Sequence, residues 1–83
     1  MKENIDQIHI SEIVHKCFSK NIFIKTEQVN TRFLRLIAET PEEVIRGQVL
    51  FEIENKKDMK AMNEKRDELY RYFYKKIMDN QKK

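Results

Sequence analysis

The sequence predicts an all-α fold, a compact bundle of four helices, and three observations carry that expectation. Gly47 is the sole glycine and Pro41 the sole proline in 83 residues, so backbone breakers are scarce. Charged residues make up 37% of the chain and are dominated by the helix formers Lys, Glu and Arg. Apolar residues recur at helical spacing in several stretches separated by capping residue types. One alternative competes locally: an α+β arrangement with a short strand near 48–54.

Taken in order, residues 1–7 mix charges without a shared apolar face and are expected to be disordered. Ile8 and Ile10 alternate with His9, which suits a short lead-in, extended or helical. A first helix is expected over 11–20, with Ser11 as N-cap and Asn21 as its left-handed stop. Ile13, Val14, Cys17 and Phe18 form its apolar face. Ile22-Phe23-Ile24-Lys25 then reads as a β-leaning apolar connection.

Thr26 is the expected cap of a second helix over 27–39. Val29, Phe33, Leu36 and Ile37 would share one of its sides, opposite Gln28, Asn30, Thr31, Arg32 and Arg35. The next signal is the strongest in the chain. Thr40-Pro41-Glu42-Glu43 has the spacing of a capping box, with proline where its missing donor matters least. It predicts a third helix over 41–54. The apolar residues there (Val44, Ile45, Val49, Leu50, Phe51, Ile53) point all round a helical axis, which implies burial on several sides. In the strand reading of 48–54, Val49, Phe51 and Ile53 alternate instead. Asn55 and Asp58 mark a stop and restart before a fourth helix over 58–79. Its stripe is Met59, Met62, Leu69, Phe73 and Ile77, flanked by Tyr70 and interrupted by Arg66, whose aliphatic stem can lie along a core. Residues 80–83 are expected to fray. The whole of 1–83 is one domain, because the chain has too little interior for two.

Composition narrows function mainly by exclusion. Cys17 is the single cysteine, so neither an internal disulfide nor a multi-cysteine zinc site can form. One glycine cannot make a phosphate-cradling loop. His15 and Cys17 stand two apart and point about 200° from each other on a helix. His9 and Cys17 could share a side, but no third group orients such a base. The expectation is therefore no enzyme, no cofactor, no metal and no small-molecule substrate. No apolar run reaches the length of a membrane span or signal core, so a cytoplasmic protein without a membrane partner is expected.

Charge is unevenly spread: the formal net charge is +3, yet Lys56–Lys83 holds ten Lys/Arg and five Asp/Glu. Arg71, Lys75 and Lys76 interleave there with Tyr70, Tyr72, Phe73 and Tyr74. The acids of 39–54 could neutralise this segment if it folds back alongside, bringing Glu42 and Glu43 near the level of Arg71 and Lys75. The expected function is a small regulatory or adaptor protein that binds another protein, or a second copy as a homodimer, through a helical surface. Phe51, Tyr72 and Tyr74 are the candidate interaction residues. The alternative is a DNA- or RNA-binding regulator contacting nucleic acid through Arg32 and Arg35, or through Arg71, Lys75 and Lys76. A structural self-assembling subunit is the third reading.

Overall fold

The chain folds as an antiparallel sheet with two helices on one of its faces, in an α+β arrangement. The structure, a computed structural model, describes residues 8–81. The elements run α1 (Ile10–Ser19), β1 (Phe23–Gln28), β2 (Phe33–Glu39), β3 (Val44–Arg46), β4 (Phe51–Glu52) and α2 (Lys56–Gln81). The all-α four-helix bundle is thus overturned, and with it the helices expected over 27–39 and 41–54. Only the α+β alternative matches, with β4 inside the segment it named.

The first helix forms almost where the apolar face placed it, but its cap lies earlier in the chain. His9 Nδ1, rather than the Ser11 side chain, is the capping acceptor, taking the Ser11 N–H at 3.2 Å. Asn21 does stop the helix in the left-handed region, at φ 60°. The Ile22 N–H then bonds back to the Cys17 carbonyl at 2.9 Å and turns the chain into β1.

Residues 23–39 make a hairpin instead of a helix. Asn30 decides this locally: its Oδ1 accepts from the N–H groups of Arg32 (2.8 Å) and Phe33 (3.0 Å), which folds the Val29–Arg32 loop. The flanking segments are rich in β-branched and aromatic residues, and the register pairs Ile24 with Ala38 and Thr26 with Leu36. Phe33, Leu36 and Ile37 have helical spacing by coincidence. Leu36, Ile37 and Ala38 are consecutive and all buried, because β2 is central: Leu36 and Ala38 join the core under the helices, while Ile37, on the other face, stands between Lys25 and Arg46 of the neighbouring strands.

The expected capping box at Thr40 closes a turn between strands. Its first bond exists, with Thr40 Oγ1 accepting from the Glu43 N–H at 3.1 Å. The Thr40 N–H, however, donates to the Glu43 carbonyl at 2.9 Å, which continues the β2–β3 ladder and leaves no helix to cap. β3 and β4 both pair with β2, on the flank away from β1. Four residues, Gly47–Leu50, face only Arg35 and Leu36 between the two pairings, so the strand bulges outward. Gly47 sits at the bulge's root, where a side chain would be crowded. Its N–H bonds to Leu36 O at 2.8 Å, and an added Cβ would lie 3.0 Å from that same oxygen.

Asn55 is the N-cap of α2, accepting at Oδ1 from Lys57 (2.9 Å) and Asp58 (3.1 Å). Asp58, expected as the cap, accepts from the Glu52 N–H at 2.9 Å and ties the helix to β4. The forecast stripe of α2 is otherwise correct. Met62, Tyr70 and Ile77 join Ile13, Cys17, Ile24, Leu36, Ala38 and Phe51 in the core. The expected disorder of 1–7 lies outside the described residues, as does 82–83, while Asn80 and Gln81 complete α2.

Candidate protein-interaction groove

Where α2 sits on the sheet determines what is left uncovered. The helix starts beside β4, held by Asp58, and reaches β1 through Tyr70. α1 packs along the flank of α2 nearest β1, with Cys17 Sγ donating to the Tyr70 carbonyl at 3.5 Å. No helix among the described residues covers the sheet beside β3.

A groove remains there, with β3 and the bulge as one wall and α2 as the other. Its apolar lining comes from Ile45, Val49, Phe51, Leu69, Tyr72 and Phe73, and its larger compartment encloses about 650 Å³. A second compartment shares Ile45, Tyr72 and Phe73 and continues to Asn80. From Ala61 to Asn80 the helical wall is about 28 Å long at 1.5 Å per residue. Val49 is 62% exposed, Tyr72 53% and Ile45 45%, unusually open for residues beside a core. Polar groups sit at the rim: Glu64, Lys65 and Glu68 toward one end, Lys20, Glu42, Glu43 and Lys76 toward the other. Lys76 Nζ lies 4.8 Å from the centroid of the Tyr72 ring. Its ammonium is held above the usual lysine range first by its hydrogen bond to Tyr72, with Glu43 adding to the effect.

Of the three interaction residues expected from sequence, Phe51 and Tyr72 meet in this groove. Phe51 is buried in its floor and Tyr72 stands on its rim. Tyr74 does not join them; it is half-buried on another side of α2, beside Ser11, His15 and Met78 of the α1 flank. Ile45 and Val49 were missed. Their signal was the all-round apolar pattern of 44–53, read as a helix buried on several sides when it marks a strand edge that is only partly covered.

The nucleic-acid candidates are dispersed and largely compensated. Arg32 pairs with Glu52 at 3.0 Å, and Arg35 pairs with Glu27 through Nη2 at 2.6 Å and Nε at 2.7 Å. Lys25 and Glu39 add a contact of 2.7 Å on the same outer face of the sheet. Arg71 is half-buried, and its Nη1 has no hydrogen-bond partner among the described residues. Lys75 and Lys76 are exposed. Of the acids of 39–54, Glu39 thus pairs with Lys25 of β1 and Glu52 with Arg32 of the hairpin loop, while Glu43 acts on Lys76 of α2.

The groups with catalytic potential do not assemble. Burial pushes the Cys17 thiol up to about 11, which keeps it protonated and poorly nucleophilic at neutral pH. His9 Nδ1 is engaged with Ser11 Oγ at 2.8 Å. Among the described residues, no three of His, Cys, Asp and Glu are placed to hold a metal, and no helix is long and apolar enough to cross a membrane. Against this geometry, no protein-family model, curated protein or solved structure matches the chain, so the groove itself is the guide to function.

Proposed function

We propose that this is a non-enzymatic regulatory or adaptor domain of the cytoplasm that works by binding protein through the groove between α2 and β3. The observation that carries this is the long apolar groove with Ile45, Val49 and Tyr72 left open along it. A soluble domain gains nothing from exposing such residues together, whereas an interface core of aromatic and aliphatic groups with a charged rim has this composition. Charge argues less strongly for nucleic acid, since Arg32 and Arg35 already face carboxylates.

A photoactivatable cross-linker placed at Val49 in the native cell tests the reading, with Lys57, on the basic start of α2, as the comparison position. Discrete protein adducts are expected at Val49, resistant to nuclease and abolished by Tyr72→Ala in a chain that still folds. Equal labelling at the two positions, or adducts that disappear with nuclease, would overturn the proposal.

A further inference from the structure

The two edges of the sheet are treated differently. In β1 the bond from the Val29 N–H to Phe33 O sets the phase of the ladder, so the backbone groups of Ile24 point away from β2. Tyr70 meets both of them. Its hydroxyl accepts from the Ile24 N–H at 3.1 Å and donates to the Ile24 carbonyl at 3.2 Å. That edge is closed at Ile24, near the start of the strand, by a side chain from α2. In β3 the phase is set by Gly47 N–H to Leu36 O and by Thr40 N–H to Glu43 O. Ile45 therefore bonds inward to Ala38, while the N–H and carbonyl groups of Val44 and Arg46 point outward. No side chain among the described residues meets them. The Arg46 side chain lies on the outer face near Glu27, at 3.9 Å, and leaves the edge open.

We infer that a second copy of the chain occupies this edge, β3 pairing antiparallel with the partner's β3 about a two-fold axis at Ile45. This rests on the β3 side of the sheet, groove included, being a protein-binding surface and names the occupant of its edge. In that register Val44 lies opposite the partner's Arg46 and Ile45 opposite the partner's Ile45. The outward groups of Val44 and Arg46 from both copies form four hydrogen bonds, and the sheet continues across the axis. The arrangement is self-complementary. No like charges face each other across the pair, and Ile45, 45% exposed in the single chain, gains an isoleucine neighbour on the inner face.

The strand and the groove beside it also carry exposed apolar groups. Val44, Ile45, Val49, Leu50 and Tyr72 are between 45% and 62% exposed. By the register Val44 lies on the outer face with Glu39 and Ile45 on the inner face with Ala38, so pairing at the edge covers apolar groups on both faces of the sheet. Because β3 has only three residues, the pairing is expected to be reversible rather than permanent.

Light scattering behind a sizing column, over a wide concentration range, is the primary test. A mass of twice the 10.2 kDa chain is expected at high concentration, falling to the monomer on dilution. Arg46→Pro deletes an N–H that the single chain does not use, so it should leave the fold intact and hold the protein monomeric throughout. In the wild type, exchange of the Val44 and Arg46 amides should slow as concentration rises, a readout that does not depend on any variant folding. A monomer at every concentration overturns the inference; if Val49 still cross-links another protein in the cell, the groove reading survives with a different occupant. A dimer whose Val44 and Arg46 amides stay unprotected overturns the strand pairing as well.

Discussion

Tyr70→Phe is the substitution with the clearest expected result, because it removes one atom and leaves the ring's packing in place. The hydroxyl lies in a buried site, with Tyr70 and Ile24 each 5% exposed, and makes two hydrogen bonds to one residue's backbone. Loss of the oxygen orphans the N–H and carbonyl of Ile24 where water has little access. A net hydrogen bond contributes about 0.5–1.5 kcal/mol, and a buried group left unsatisfied costs about 1–3 kcal/mol. The two effects overlap, so the expected loss is about 2–4 kcal/mol, a large part of the stability of a domain this size. The phenyl ring should retain its edge contact with Phe18, whose centroid is 6.2 Å away. Urea melts followed by far-ultraviolet circular dichroism measure the loss, and Tyr72→Phe, at a site 53% exposed, is the comparison. The Ile24 amide should also exchange faster in Tyr70→Phe. A loss below about 0.5 kcal/mol with Ile24 still protected would refute the claim that Tyr70 closes the β1 edge at Ile24.

Two other residues have equally definite expected outcomes. Burial raises the Cys17 thiol from about 9 to about 11 in the folded chain, so its contribution to stability is fully present below pH 9 and is lost as pH rises toward 11. Melts of wild type and Cys17→Ala across that window should converge as pH rises; a constant difference between them would contradict a protonated, buried thiol. Asn55→Ala removes the side chain that caps α2 and should cost about 0.5–2 kcal/mol in denaturant melts, whereas an unchanged midpoint would show that the helix start does not need it.

The sequence determined by itself those features that depend on one segment and its nearest neighbours. α1 with its apolar face, the left-handed stop at Asn21 and the long C-terminal helix with Met62, Tyr70 and Ile77 inward could all be read from capping and periodicity. So could the hydrogen bond from the Glu43 N–H to Thr40 Oγ1, though not its meaning, because the same bond begins a helix or closes a hairpin turn. The residues after Glu43 decide between the two, and their conformation depends on whether β2 is there to pair with. Residues 27–39 failed for a related reason. Phe33, Leu36 and Ile37 satisfy helical spacing, and only the strands paired on both edges of β2 reveal an extended segment. The candidate site was half legible: Phe51 and Tyr72 stood out as apolar groups without evident cover. Ile45 and Val49 did not, since their exposure results from where α2 crosses the sheet and from the bulge at Gly47. The closing of the β1 edge at Ile24 and the openness of the β3 edge were decided by tertiary structure alone. They depend on a hydroxyl in α2 reaching a backbone 46 residues away in sequence, a relation that no local pattern encodes.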